Sequence, residues 1–383
     1  MKYKLKDIFD LQMGKTPSRS VQNYWNTENY KWISIADLSK EGKYIFDTKE
    51  HISGAAIEEN GIRVIPANTV IMSFKLSIGK VAITADNMYS NEAIMAFHDK
   101  HVADILPEYI FYMFKHRNWD QGSNKAVMGK TLNKATLSDV EIEVCSIEHQ
   151  QAIVDVLNKT MAIIEGRKSE LNLLNDLIKA RFVELFGDET EFGKWSCCTI
   201  GDVADICVGV VIKPTQYYTD KGVPAFRSLN IGEMRVKDTD WVYFTEEGHQ
   251  KNQKSIIRKN DVLVVRSGAP GTACVVTEKY DGYNAVDIII AHPDNRKVDS
   301  VFLAAFTNMP HGMNQIRAKT GGAAQQHFNV SGYKAVSLIM PPMTLQEQFA
   351  AFVAQTDKSK VAVQKALEKT QLLFDSLMQE YFG

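Results

Sequence analysis

Long apolar runs are missing from this chain of 383 residues. No segment approaches the roughly 18–20 continuous apolar residues that a membrane-spanning helix needs, so no membrane role is expected. The opening residues, MKYKLKDIFD, carry lysines but no apolar stretch behind them, which points away from a secretory leader. Cysteine is scarce and unpatterned: Cys145, Cys197, Cys198, Cys207 and Cys274 form no CxxC pair and have no His at zinc-ligand spacing. They read as reduced thiols of a cytoplasmic protein, and no metal is expected. A surplus of basic charge is also absent, since 44 basic and 46 acidic residues leave −2. That excludes a protein whose main task is to coat nucleic acid without regard to sequence, but it leaves room for a local binding surface.

Catalytic signatures are lacking as well. NKAVMGKT (124–131) ends like a phosphate-binding loop, but Asn124 stands where the first glycine or alanine belongs. No strand directly precedes it, and no apolar run ending in Asp follows. Gly14-Lys15-Thr16 is weaker still, with Pro17 next in line. RSGAPGTA (266–273) reads as a tight turn between strands. MPPM (340–343) has the double proline of an adenine methyltransferase motif but neither its acid or amide nor its aromatic. Nothing supports chemistry on this chain, and no catalytic residue is assigned.

What the chain does contain is itself, twice. Leu5-Lys6-Asp7-Ile8 answers Ile200-Gly201-Asp202-Val203 at an offset of 195. IPANTVIMSFKLSIGKVAI (65–83) answers IRKNDVLVVRSGAPGTACV (257–275), with Asn68 and Gly79 matching Asn260 and Gly271 at 192. LNKATLSDVEIEV (132–144) answers FNVSGYKAVSLIM (328–340) at 196, and IEHQQAIV (147–154) answers LQEQFAAF (345–352). A period this long means a duplicated module, not a solenoid. Short runs such as VIMSF and VLVVR, bounded by Gly, Pro and Asn, predict strands and turns.

Each module ends in one long helical segment. In the first, a heptad frame started at Ile147 puts Val154, Met161 and Phe182 at a, with Lys168 and Asn175 between them. Position d holds Gln150, Leu157, Ile164, Leu171, Ile178 and Leu185. This is a coiled-coil seam rather than the broad stripe of a surface helix. The second helix repeats the period through Phe349, Val353, Val363, Leu367, Phe374, Leu377 and Tyr381. Ser146 offers one N-cap, and Thr344 with Glu347 offers a capping box for the other. Gly187 and Gly383 stand where helices end. About forty residues make a rod of roughly 60 Å.

The fold expected is therefore α+β: two duplicated mixed α/β modules separated by two long antiparallel helices forming a coiled coil. The segments are 1–145, 146–190 (helix and linker), 191–342 and 343–383. Two unequal readers on a fixed spacer suit double-stranded DNA. Diverged within one chain, they would read an asymmetric bipartite site instead of the palindrome a dimer reads.

In GKTPSRSVQNYW (14–25), KWISIADL (31–38), VIKPTQYYTDKGVPAFRSLNI (211–231), LFGDETEFGKW (185–195) and VSLIMPPMTLQEQ (336–348), the chain resembles the specificity subunit of a type I restriction–modification system. The likeness covers essentially the whole chain, in the order target-recognition domain, helix, target-recognition domain, helix. One departure is Cys145-Ser146 in place of the second copy's Pro341-Pro342, which puts the lead-in to the first helix in question. The resemblance implies a non-catalytic DNA reader that binds two methyltransferase subunits through its helices. S-adenosylmethionine would sit on those partners, none on this chain, and nuclease-translocase subunits would join for restriction. Competing readings are a coiled-coil adaptor with two protein-binding lobes, or the specificity part of a self-contained modification enzyme.

Base readout needs Arg, Lys, Asn, Gln or Ser/Thr at base edges, with basic residues on phosphate. Polar loops at corresponding places in the two copies nominate Lys15, Arg19, Lys75, Lys130 and Lys134 in the first module. In the second they nominate Lys213, Arg266, Lys319, Gln325, Gln326 and His327. Tyr24, Trp25 and Trp32 read as packing residues.

Overall fold

Runs of apolar residues broken by Gly, Pro and Asn fold into short strands. The computed structural model describes residues 1–383 apart from Asn26, Glu41, Leu76, 120–123, 127–128, Glu189 and 321–327. The chain divides into two units, 1–167 with 366–383, and 168–365.

In the first unit, β1 (Phe9–Met13), β2 (Tyr44–Ile45), β3 (Val70–Ser73), β4 (Val81–Thr84) and β5 (Ile94–Asp99) form one sheet, in the order β1-β5-β3-β4-β2. The runs VIMS and VAIT are buried along their whole length, as expected of strands covered on both faces. Helix α1 (Pro107–His116) lays Ile110, Tyr112 and Phe114 against Val70, Met72 and Ile83. Ile33 and Leu38 cover the opposite face, at Ile71, Ala82 and Ala96. The segment then continues into α2 (Ile147–Phe186).

The second unit has β6 (Ala204–Val208), β7 (Val262–Val265), β8 (Ala273–Val275) and β9 (Ile288–Pro293), ordered β6-β9-β7-β8. Helix α3 (Ser300–Asn308) covers Val262, Val264 and Ala273, and the unit ends its module with α4 (Met343–Phe382). Asn68 and Asn260 both have left-handed backbones just before the central strand, a conformation Asn tolerates better than most residues. Their N–H groups donate to Thr84 O (2.7 Å) and Val276 O (2.9 Å).

The long helices start differently and are held alike. Ser146 caps α2, its Oγ accepting from His149 N at 3.4 Å. Helix α4 begins at Met343, one residue before the expected Thr344 box. The Pro342 carbonyl already accepts from Leu345 N and Gln346 N, so Thr344 lies inside the first turn. Gly187 ends α2 in a left-handed conformation, its N–H donating to Val183 O at 2.8 Å. Behind both starts lies a buried glutamine. Gln150 accepts from Leu106 N, the N-cap residue of α1, and donates to Asp104 O and Cys145 O, all at 2.9 Å. Gln346 accepts from Asp299 N, the N-cap residue of α3, and donates to Pro341 O, both at 2.9 Å. Proline keeps its carbonyl, so the exchange of Cys145 for Pro341 leaves this bond unchanged.

Each unit takes half of each long helix. In the first, Ile153, Val154, Leu157 and Ile164 of α2 share a core with Phe374 and Met378 of α4. Arg167 donates to Ala366 O and Thr370 Oγ1 across the same pair. In the second, Phe182 and Phe186 of α2 meet Phe349 of α4 edge-on at 5.5 and 5.7 Å, with Val353 in the same cluster. The d positions Leu157, Ile164 and Ile178 are buried, and Leu171 and Leu185 are half-buried. Position a drifts. Val154 and Phe182 are buried, and Ile147 and Met161 are half-buried, but Lys168 and Asn175 are exposed. The covered line passes one residue earlier, through the half-buried Arg167 and Leu174, where the Arg167 guanidinium reaches Ala366 O and Thr370 Oγ1. On α4, Phe349, Val353 and Phe374 are buried, while Val363, Leu367, Leu377 and Tyr381 are half-buried. Three buried threonines on the helices, Thr160, Thr356 and Thr370, return their hydroxyls to the carbonyl four residues back.

Replacing Gln150 or Gln346 by Ala leaves buried backbone groups unpaired, and each change is expected to cost about 1–3 kcal/mol in urea unfolding. The exposed Gln151→Ala serves as the near-neutral control. Gly166 lies mid-helix with open space around an added Cβ, so Gly166→Ala is expected to raise stability by roughly 0.5–1 kcal/mol in the same measurement.

Candidate nucleic-acid interface

Strand direction decides which loops meet. β1 and β3 both run antiparallel to β5, with Met13 and Met72 each opposite Met95. The segments leaving β1 and β3 therefore emerge at one end of the sheet. A third segment joins them, since Leu132 N donates to Phe74 O at 3.0 Å. In the second unit Val208 and Val264 are both opposite Ile289. There the third segment arrives through Phe328 N, which donates to Arg266 O at 3.1 Å. One sheet end in each unit thus gathers three loops, and these loops hold most of the residues nominated by sequence.

Close backbone approach builds this end. A Cβ on Gly14 would lie 2.2 Å from Asn91 O, and one on Gly209 would lie 2.6 Å from Ala285 O. Gly14 N donates to Ile94 O at 3.1 Å and Gly209 N to Ile288 O at 2.9 Å. The turn after β3 closes through Gly79 N to Ser73 O (2.9 Å), and the turn after β7 through Gly271 N to Val265 O (3.0 Å). Both glycines have positive φ, so RSGAPGTA is a turn between strands.

Lys15 has its backbone N–H on Ser90 O at 2.8 Å, and its ammonium donates to Asn60 O. Arg19 lies 3.7 Å over the Trp25 ring and pairs with Glu50, whose hydrogen bond raises its pKa further. Trp25 in turn meets the buried Trp32 edge-on at 4.8 Å. These aromatics pack the loop and hold a half-exposed guanidinium at its surface. Lys75 follows β3, its ammonium 3.9 Å from Met13 Sδ, which ties the first two loops together. Lys134 is exposed at the start of a short helix capped by Asn133. Lys130 lies in the strand Gly129–Thr131, paired antiparallel with Asn124–Ala126. The GKT triplet is therefore extended backbone and not the start of a helix.

In the second unit Lys213 is exposed with a left-handed backbone, just beyond Gly209. Arg266 is mostly covered. Its Nε donates to Phe328 O at 3.1 Å and its Nη1 pairs with Asp287, so this guanidinium fastens two of the three loops to each other. Lys319 is exposed at the end of the helix Pro310–Ala318. Gln325, Gln326 and His327 lie outside the described residues. Sequence reasoning passed over Glu50, Glu92 and Asp287, the acids that pair with Arg19, Thr16 and Arg266. No spacing pattern marks them, because each pairing bridges strands distant in the chain.

Among the described residues there is no cluster of three metal-ligating side chains, and no helix is long and apolar enough to cross a membrane.

Comparison with known proteins bears on this arrangement. Residues 1–173 match the family described as type I restriction modification DNA specificity domain. The chain is 24% identical to the type I restriction enzyme MjaIX specificity subunit of Methanocaldococcus jannaschii, an alignment covering 98% of this chain and 90% of that one. It is 27% identical, over 42% of its length and 41% of the other's, to the EcoR124I/EcoR124II specificity subunit of Escherichia coli. The solved S subunit of a type I restriction–modification system from M. genitalium superposes over 100% of this chain and 96% of its own, with a TM-score of 0.55 at 14% identity. At that identity the match speaks for the fold alone.

Gly14→Ala is expected to cost more than about 2 kcal/mol in urea unfolding, because backbone oxygens rather than a yielding side chain occupy the Cβ position.

Proposed function

The chain belongs to the family of type I restriction–modification specificity subunits, which are non-catalytic DNA-recognition subunits, and on that premise we propose that each of its modules reads one half of an asymmetric, bipartite DNA site. Segments 1–145 and 191–342 act as the two target-recognition domains, duplicated and then diverged. Segments 146–190 and 343–383 act as spacers that pair antiparallel as a coiled coil and set the distance between the half-sites.

The observation that carries this reading is the sheet end that gathers three polar loops, present once in each unit with different side chains on it. A shared backbone frame with unlike residues is what two readers of unlike half-sites require. Lys15, Arg19, Lys75, Lys130 and Lys134 are the proposed contacts of the first reader. Lys213, Lys319, Gln325, Gln326 and His327 are those of the second, with Arg266 as its loop fastener.

Two methyltransferase subunits are the proposed partners, carrying S-adenosylmethionine and the chemistry, with nuclease-translocase subunits added for restriction. The long helices support this. Ile163, Leu173 and Leu177 of α2, and Val361 and Leu372 of α4, are exposed apolar residues on the side away from the seam. Burying such side chains against a partner is favourable at about 25 cal/mol per Å². The assembly works in the cytoplasm, where its DNA is.

Methylome sequencing of cells expressing this chain with its cognate methyltransferase subunits tests the reading. The expected result is one asymmetric bipartite motif methylated on adenine. Exchanging residues 1–145 for another module should alter one half of that motif only, and a change in both halves would overturn the two-reader assignment. Four residues inserted at Gly166 lengthen the helix by about 6 Å and should widen the gap by one or two base pairs. An unchanged gap would mean that the helices are not the ruler.

A further inference from the structure

Equivalent positions on β1 and β6 hold different chemistry. In the first unit Gln12 donates to Arg63 O at 2.9 Å and bonds His98 Nε2 at 3.0 Å through its side-chain oxygen. In the second unit Cys207 takes the place of Gln12. Its Sγ lies 3.2 Å from Lys254 O and 3.7 Å from His292 Nε2. Behind the ring, His292 Nδ1 is 2.7 Å from Asp261 Oδ1, a buried carboxylate fixed by Arg258 N at 2.6 Å. Thr69 stands where Asp261 does, so the first unit has neither the thiol nor the acid. Asp10 and Asp205 face the two histidines across the β1–β5 and β6–β9 pairs. The chain thus carries thiol, imidazole and carboxylate in line on one unit, and a neutral version of the same site on the other.

From this geometry we infer that Cys207 is a histidine-activated thiol, a modification site for soft alkylating electrophiles. Burial holds His98 below the ordinary histidine range, whereas Asp261, with Cys207, lifts His292 to about 10. His292 is therefore an imidazolium at neutral pH, with one N–H on Asp261 and the other directed at sulfur. An adjacent imidazolium stabilises a thiolate. The Lys254 carbonyl favours the thiol, but a neutral hydrogen bond is the weaker influence beside a charge-assisted one. The proton lost by sulfur goes to solvent and His292 keeps its own. The sulfur then attacks the carbon of the electrophile, a thioether forms, and the leaving group departs with its electron pair. Cys207 and His292 are both half-exposed, so small reagents have access.

Iodoacetamide labelling of the full chain, with peptide mass spectrometry at each cysteine, tests this independently of DNA reading. Cys197, which is exposed, and Cys274, which burial pushes up to about 12, are internal references. At pH 6.5 Cys207 is expected to react roughly fivefold faster than Cys197, because the His292 ring stands beside its sulfur. His292→Gln should bring Cys207 down to the Cys197 rate and leave Cys197 unchanged. A Cys207 rate no faster than that of Cys197 at pH 6.5 overturns the inference. The rate ratio of the two cysteines in the unsubstituted chain decides it even if the variant fails to fold.

Discussion

A helix of forty residues has little hold on the module it leaves unless its first turn is tied down, and in both units one buried glutamine amide supplies the tie. Gln150 and Gln346 each accept from the backbone N–H at the N-cap of the helix that covers the sheet, and each donates to the carbonyl at the lead-in of the long helix. Sheet, covering helix and long helix are fixed to one another through a few short bonds. Unpaired buried polar groups are costly, so this network is satisfied as a whole or not at all. The cores follow from it. Once the first turn is fixed, the register of Val154, Leu157, Phe349 and Val353 against the covering helix is fixed too.

At the opposite task, presenting polar loops, the structure relies on strand direction and glycine. Two segments reach one end of each sheet because alternate strands run the same way, and a backbone hydrogen bond ties a third segment to them. Gly14 and Gly209 let the backbone pass within reach of a neighbouring carbonyl. Two guanidiniums on this surface are met by local acids: Arg19 by Glu50 and Arg266 by Asp287. These ion pairs help hold the loops in shape.

The two units also show how a shared frame is put to separate uses. Gln12 and Cys207, and Thr69 and Asp261, occupy matching places around His98 and His292. The change converts a neutral histidine site into a charged one without altering the sheet beneath it.

Much of this was legible in the residues alone, wherever a pattern repeats along the chain. The internal repeat, the two long helices, the Gly187 terminus and the turn at 266–273 each rest on local periodicity or local backbone preference, which a sequence displays directly. The tertiary structure decided the rest. Which residues of α2 the packing covers, Arg167 and Leu174 instead of Lys168 and Asn175, depends on partners far along the chain, and the start of α4 before Thr344 depends on a proline carbonyl. The meeting of Gly14, Lys75 and Leu132 at one sheet end, the fastening role of Arg266 and the alignment of Cys207, His292 and Asp261 arise from strand register. Register joins residues tens to more than a hundred positions apart, and no spacing along the chain records it.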